Sequence, residues 1–470
     1  MACFISPSSC DDWSLVFFCF FWSCRVPPVK TKWPSQHRPH ARTPTLRQRR
    51  RPGPMSYPVV VIDNGTGYTK LGYAGNEEPT YVIPSLYADN AAAWRRSNDV
   101  FEDLDFYIGE EAAARAGSCT VSYPIQHGIV KDWDKMERIW QHCIYKYLHV
   151  EPEEHGFILT EPPANPPENR EYTAEVMFET FGVKQLHIAV QGALALRASW
   201  TSGKAQELGV AGKDTGLVID SGAGVTHIMP IVDGFVLNQA IHHIPLAGRD
   251  ITNFVLERLR ERGEPVPPDD ALLLAQRIKE EYCYIARDIA SEFDTYDRDL
   301  PKYVTKHRDV NSKTGQPYTV DVGYEKFLGP EVFFHPEIFS NEWTTPLPEV
   351  VDKAVWSCPI DCRRPLYRNI VLSGGNTMFP KFDKRLQKDL RAIVDRRAKK
   401  NMAAFKDPTR HITYDVNVVS HERQRYAVWY GGSMLGSSPE FATLAKTRKE
   451  YEEYGPYICR QNNMFHSVFE

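Results

Sequence analysis

The chain has no apolar run long enough to cross a membrane. Its longest near the N-terminus, Trp13 to Trp22, is ten residues, about half of what a helical span needs. That run follows Asp11 and Asp12 rather than a basic segment, and no small-x-small cleavage site follows it, so it makes a poor signal peptide. Clustered thiols are also missing. The 10 cysteines are scattered, Cys358 and Cys362 are the only close pair in the body of the chain, and no second pair or matching histidines complete a zinc set. Reduced intracellular thiols are the expectation. Excess positive charge is confined to one end. Residues 1–54 carry nine Lys/Arg and two Asp, a net of +7, so the whole-chain charge of -4 leaves the remainder at −11. A body this acidic argues against nucleic-acid binding. Residues 25–54 are rich in Pro and Arg, hold no acidic residue and cannot build a core. The expectation is therefore that 1–54 is an atypical extension, either disordered or spurious, in the latter case with translation normally beginning at Met55.

What is present is a ten-residue pattern that occurs twice. Val61-Ile-Asp-Asn-Gly-Thr-Gly-Tyr-Thr-Lys70 returns as Val218-Ile-Asp-Ser-Gly-Ala-Gly-Val-Thr-His227. Each copy reads as an apolar strand ending on Asp, two glycines around a small residue, and a second strand. Glycine leaves room for a ligand and lets successive backbone N–H groups point at a phosphate. The strand-end Asp suits the water shell of a Mg²⁺ carried by those phosphates. A single copy is an ordinary tight hairpin. The pair, with a third segment Asn369-Ile-Val-Leu-Ser-Gly-Gly-Asn-Thr-Met-Phe-Pro380 in which a strand enters Gly-Gly and a helix start, reads as a nucleotide cleft.

Composition fits a soluble globular protein, 42% hydrophobic and 25% charged, and 470 residues accommodate two to four compact units. Past Met55 strands and helices alternate. Tyr57 to Ile62 and Tyr68 to Tyr73 form the first hairpin, and residues 85–122 read as an irregular, mobile surface subdomain. Asp132 is a candidate N-cap for a helix with Trp133, Met136, Trp140, Cys143, Ile144, Tyr147 and Leu148 on one face. Phe157 to Thr160 and His187 to Val190 read as buried strands, and a helix begins near Arg170. This plan, given twice, implies two related α/β halves around a cleft.

These residues carry a resemblance. The chain from Met55 to Glu470 resembles the actin superfamily through the three loops and through Tyr123-Pro-Ile-Gln-His-Gly-Ile-Val-Lys-Asp-Trp133, Pro166-Pro-Glu-Asn-Arg-Glu-Tyr172 and Ala247-Gly-Arg-Asp250. Within it the chain is similar to the actin-related protein 3 family through Gly323 to Pro336, Cys358 to Tyr367, Gln424 to Trp429 and Tyr451 to Cys459. The resemblance implies the actin-like α/β fold, with two lobes around a central nucleotide cleft. The first lobe comprises 55–210 plus 426–470, with the small subdomain at about 85–122. The second comprises 211–425, with inserts at about 295–322 and 391–413.

The resemblance also implies site roles. Asp63 and Asp220 would hold Mg through water. Gly65, Thr66, Gly67 and Lys70 would meet the β- and γ-phosphates, facing Ser221, Gly222 and Gly224. Gly374, Gly375, Asn376 and Met378 would line the phosphate and nucleoside side, Lys279 and Glu280 the adenine and ribose, and Arg425 and Tyr426 the base. Gln191 and His227 match the pair that positions the attacking water. Read without the resemblance, Lys279 and Glu280 are a solvated helix face, Gln191 a satisfied buried amide and His227 a strand-surface histidine. Ala223 stands where the superfamily usually has a second Asp, so nucleotide binding is expected to survive and ATP hydrolysis to be slow at most. The subdomain at 85–122 lacks the loop with which actin grips its neighbour, so no homopolymer is expected.

The implied function is an ATP/ADP-binding, cytoplasmic subunit of the actin cytoskeleton. It would pair with actin-related protein 2 in the complex that nucleates branched actin filaments, alongside the other subunits and nucleation-promoting factors. A nuclear actin-related protein of a chromatin-remodelling assembly is the nearest alternative, disfavoured by 323–336 and 358–367. A sugar kinase would need a catalytic Asp and a sugar pocket that the sequence does not nominate. An Hsp70-like chaperone would need a further domain after Gly455.

Overall fold

The structure, a computed structural model, describes residues 57–89, 106–115, 119–404 and 414–462. The extension 1–54 and parts of 85–122 and 391–413 lie outside the described residues.

Two sheets share one plan. In the first, the strand Val59–Asn64 pairs antiparallel with Tyr68–Tyr73 on one side and parallel with Gly156–Glu161 on the other, and the latter pairs parallel with Gln185–Val190. In the second, Gly216–Ser221 pairs antiparallel with Thr226–Val232 and parallel with Ile370–Ser373, which pairs parallel with Val418–Val419. Each repeated motif is therefore the central hairpin of its own sheet. The central strand Val59–Asn64 is buried along its whole length, as its unbroken apolar run requires of a parallel neighbour. The first strand of the protein starts at Val59 rather than Tyr57 and continues to Asn64.

Helices Gln191–Ser199 and Ala427–Gly436 pack against each other between the sheets, in one core with Val61, Ile158, Val218 and Val371. Glycine makes that contact possible. A Cβ on Gly431 would lie 1.9 Å from the backbone oxygen of Leu194, and one on Gly192 would lie 2.7 Å from Met229 Sδ. Trp429 Nε1 donates to Val61 O at 3.1 Å, fastening the helix pair to the first central strand. Gly431→Ala forces these helices apart, with an expected loss of roughly 1–3 kcal/mol, read as a lower unfolding midpoint in urea.

Several local expectations hold. Asp132 caps the helix Trp133–Gln141 by accepting from Lys135 N at 3.1 Å. Downstream the helix widens into π-type turns over His142–Leu148, which carry Cys143, Ile144 and Leu148 into the core. Others are corrected. The helix expected near Arg170 begins at Pro167, because proline lacks only an N–H that the first helical turn leaves unpaired anyway. Residues 85–122 are not irregular where described. Tyr87–Asp89, Phe106–Ile108 and Thr120–Ser122 form a three-stranded sheet over Leu86, Ala88, Tyr107 and Ala112. Of the two inserts, 295–322 contains the antiparallel hairpin Thr305–Val310 with Pro317–Val322, and the described part of 391–413 prolongs the helix Phe382–Ala404.

Candidate functional site

At the end of the first central strand, Asp63 is 1% exposed. Its Oδ2 accepts from Lys70 Nζ at 2.6 Å, and its Oδ1 accepts from Thr160 Oγ1 at 2.7 Å. Strand register explains the first bond: Asp63 and Lys70 are cross-strand partners in the hairpin. Thr160, on the neighbouring parallel strand, also accepts from Asn64 N at 3.0 Å, and Trp140 Nε1 donates to Asn64 Oδ1 at 3.0 Å. Gln191 is buried and sends Nε2 toward both Asn64 O and Thr160 Oγ1 at 3.4 Å.

The second hairpin repeats the arrangement with different chemistry. Asp220 pairs across the ladder with His227 and, on its other side, with Ser373. His227 in turn pairs with His243, whose ring meets it edge-on at 4.8 Å between centroids. Desolvation, with Asp63 as a further negative neighbour, raises the Asp220 carboxyl above its usual range. Two carboxylates in mutual repulsion inside a shielded cleft fit a divalent cation between them. His227 is 4% exposed, and burial followed by the nearby His243 lowers its imidazole to about 3.

That shift has a stability consequence. The folded chain keeps His227 neutral, while the unfolded chain protonates it below the ordinary imidazole value of 6.5. Stability therefore falls as pH drops from about 6.5 toward 3. His187 and His421, each lowered to about 4 by burial, act in the same direction. His227→Gln is expected to remove about 1.4 kcal/mol of the loss between pH 7.5 and 5.5, measured by urea unfolding at both values.

The two glycine loops touch. A Cβ on Gly67 would lie 2.6 Å from Ala223 Cβ, and one on Gly224 would lie 2.7 Å from Thr66 Cγ2. Neither glycine tolerates a side chain without parting the loops. The third segment joins them through Asn376, whose Nδ2 donates to Gly222 O at 2.6 Å and to Ser221 Oγ at 3.1 Å. The expected helix after Gly374 is instead a short 3₁₀ turn, Gly375–Met378, and the long helix starts only at Phe382. Gly374 has φ +90°, and a Cβ there would lie 2.2 Å from Ser221 O, so only glycine brings this turn so close to the second loop. Gly374 N is engaged by Gln424 O at 2.8 Å and is not free for an anion. Gly375 has open space around its Cβ position, and Met378 is half-exposed.

Lys279 departs from the solvated-face reading. It is 9% exposed and donates to Gly248 O and Thr252 Oγ1, both at 2.9 Å. Burial lowers its proton affinity. Glu280, one residue on, is exposed and accepts from Gln276, which also reaches Tyr68 OH at 2.9 Å. Tyr426 donates to Glu78 at 2.9 Å, and Arg425 lies beside it in the turn Gln424–Tyr426. Thus the loops, Asp63, Asp220, Lys70, Gln191, His227 and Asn376 converge directly, Lys279 joins through Gly248, and Arg425 and Tyr426 follow the third segment through Gln424. Sequence reasoning missed Thr160 as a site residue, and also three residues that touch the loops: Gly128, whose N–H donates to Thr66 Oγ1 at 2.9 Å, His127, whose Nδ1 meets Gly224 O at 2.9 Å, and Arg249, whose Nη2 donates to Thr66 O at 3.0 Å. For Thr160 the signal was its place at the end of the strand Gly156–Glu161, beside the strand that ends on Asp63. Among the described residues no group of three or more His, Cys, Asp or Glu is placed to hold a metal ion. Also among the described residues, no helix is long and apolar enough to cross a membrane.

Duplicated sheets, each ending in an Asp-bearing glycine hairpin that faces the other, define the two-lobed α/β fold of actin-type nucleotide-binding proteins. The actin family profile matches residues 55–275 and 270–464. The chain is 53% identical over 421 residues to an actin-related protein 3 of Acanthamoeba castellanii, covering 87% of this chain and 97% of the relative. It is 51% identical over 415 residues to one of Dictyostelium discoideum and 52% over 414 to one of Drosophila melanogaster, each covering 87% of this chain and 98% of the relative. The chain belongs to the actin family, in its actin-related protein 3 branch.

Proposed function

We propose that this chain is the ATP-binding, actin-like subunit of a complex that nucleates branched actin filaments, pairing with actin-related protein 2 to template a daughter filament in the cytoplasmic actin cytoskeleton. The observation that carries the nucleotide part is the contact between the two loops, with Gly67 against Ala223 and Gly224 against Thr66, next to the strand ends that carry buried Asp63 and half-buried Asp220. The kinship with several proteins called actin-related protein 3 carries the assembly part.

Asp63 and Asp220 would hold Mg²⁺ through water, and its charge would offset the repulsion between them and neutralise phosphate oxygens. The residues Gly65, Thr66 and Gly67 would cradle phosphate with backbone N–H groups from one side, and Ser221, Gly222 and Gly224 from the other. Lys70 holds its ammonium at Asp63 and would share it with the β- and γ-phosphates. Gly374, Gly375, Asn376 and Met378 would flank the nucleoside, with Lys279 and Glu280 on the ribose and adenine and Arg425 and Tyr426 near the base. Gln191 is anchored to Asn64 O and Thr160, and with neutral His227 would orient a water rather than form a covalent bond. Ala223 offers that water no carboxylate, so hydrolysis is slow and the nucleotide serves mainly as a conformational ligand. A ligand that bridges both lobes (55–210 with 426–470, and 211–425) favours the closed arrangement by its differential affinity for it.

Recovery of the native particle through a tag after Glu470 tests the assembly. The expected result is co-purification with a second actin-like protein and a fixed set of smaller subunits. Recovery alone, or with chromatin remodellers, contradicts it.

A further inference from the structure

The helix Ala271–Tyr282 is braced from end to end by the hairpin of Thr305–Val310 and Pro317–Val322. At its start, Asp270 accepts from Ser312 N at 2.7 Å and from the Ser312 hydroxyl, and Asp269 accepts from Lys313 Nζ at 3.3 Å. At its middle, Arg277 Nη1 donates to Asp309 Oδ2. At its end, Tyr282 OH meets His307 Nδ1 at 3.1 Å, and the two rings sit edge-on at 5.7 Å between centroids. Glu281 Oε2 lies 3.8 Å from the same nitrogen.

Helical spacing gives this helix three separate faces. Asp270 at the N-cap, Arg277 and Glu281 recur at i, i+7 and i+11 and lie toward the hairpin. Leu274, Ala275 and Ile278 are buried in a core that Val320 and Val322 of the hairpin also enter. Gln276, Lys279 and Glu280 occupy the remaining side. There Gln276 Nε2 donates to Glu280 Oε1 at 3.0 Å, and Lys279 is fixed by Gly248 O and Thr252 Oγ1. The hairpin is itself ordered at the points of contact. Asp309 Oδ1 accepts from Val310 N at 2.9 Å, which leaves Oδ2 facing Arg277. Asn311 Oδ1 accepts from Lys313 N at 2.9 Å and Thr314 N at 2.8 Å, fixing the tip that carries Ser312. His307 lies opposite Val320 in the ladder and is buried.

Glu280 is exposed and bonded by Gln276, one turn earlier in its own helix. Its direction therefore follows the helix axis. Lys279 is pinned by the helix Gly248–Glu261, so the hairpin controls how the helix turns about that residue. We infer that the hairpin is a splint for this helix, with Arg277 and Asp309 as positioning residues that set the Glu280 carboxylate for a ribose hydroxyl. The inference deepens the function proposed above and rests on it, since it assigns ribose discrimination to contacts outside the cleft. A carboxylate tells ribose from deoxyribose by a charge-assisted hydrogen bond, which weakens steeply when acceptor and hydroxyl are misaligned. Loosening the Arg277–Asp309 pair thus costs ribose selectivity and leaves the phosphate side, formed by the two glycine loops, unchanged.

Displacement of an azido-ATP label from this chain in its native particle tests it, with ATP, 2′-deoxy-ATP and ADP as competitors. Wild type is expected to need about tenfold more 2′-deoxy-ATP than ATP, the scale of one hydrogen bond to a charged group. Arg277→Met and Asp309→Asn are expected to bring that ratio close to the value of Glu280→Ala, with the ratio of ADP to ATP unmoved. Arg277→Asp combined with Asp309→Arg is expected to restore most of the discrimination. A wild-type ratio in both single variants overturns the splint, and so does an equal loss for all three competitors, the mark of a weakened fold. Wild type that takes ATP and 2′-deoxy-ATP equally also overturns it. Amide hydrogen exchange of the particle without nucleotide separates the splint from the reading beneath it. Exchange is expected to quicken at 276–282 in Asp309→Asn, and unchanged exchange there overturns the splint. Wild type that binds no ATP contradicts the proposed function instead, and the exchange result still decides whether the hairpin holds the helix.

Discussion

Asp63→Ala is expected to lower affinity for Mg-ATP by about a hundredfold or more. The carboxylate is 1% exposed and bonded on both oxygens, by Lys70 and by Thr160. On the function proposed above, its removal would take away an anchor for the metal's waters, and it leaves the Lys70 ammonium beside an apolar methyl. Breaking one partner of a shielded, hydrogen-bonded ion pair costs about 3–5 kcal/mol, and part of that cost falls on the bound state when Lys70 is needed at the phosphates. Titration with a fluorescent ATP analogue, with and without Mg²⁺, reads the effect. The Mg²⁺ dependence of binding is expected to flatten in the variant. Equal affinity, or an unaltered Mg²⁺ dependence, removes Asp63 from the metal's surroundings. Asp63→Asn separates charge from shape, since its amide oxygen keeps the contact with Thr160 while the negative charge facing Lys70 is lost.

The second large effect concerns hydrolysis. Ala223 stands where the superfamily usually has a second Asp, and its methyl group lies in the seam between the loops, opposite Gly67. Gln191 and His227 remain, but buried His227, lowered to about 3, is a weak proton acceptor at neutral pH. A carboxylate at 223 supplies the missing acceptor beside the same loop. Ala223→Asp is therefore expected to raise single-turnover phosphate release by about a hundredfold, the usual scale of a positioned general base. Affinity for ATP is expected to change far less, because the backbone cradle of Ser221, Gly222 and Gly224 stays in place. A rate that does not move shows that the slow step lies elsewhere, and a rate that rises only with weaker binding points to a loop forced apart at Gly67.

How much of this was legible beforehand follows from the range of the interactions. The two hairpins were readable because strand, Asp, glycines and second strand lie within ten residues, and each motif proved to be the centre of its own sheet. The Asp132 cap was readable for the same reason: its bond spans three residues. Lys279 was not. Its neighbours in sequence describe a charged helix face, while the acceptors that bury it, Gly248 O and Thr252 Oγ1, come from a helix some thirty residues earlier. The turn after Gly374 was read as a helix start because Gly-Gly followed a strand. Contact with Ser221, more than 150 residues away in sequence, fixes φ there and restricts the turn to 3₁₀ form. The ordered sheet within 85–122 escaped notice because its strands are three residues each, too short to show a period.

The central claim is that ATP occupies the cleft between the duplicated hairpins of this chain. Photolabelling the native particle with azido-ATP and Mg²⁺, followed by peptide mapping, tests it most directly. The account predicts label on this chain, at the segments around Lys279 and Arg425, that excess ATP displaces and that Asp63→Ala abolishes. Label confined to other subunits, or label on this chain that persists in Asp63→Ala, contradicts it.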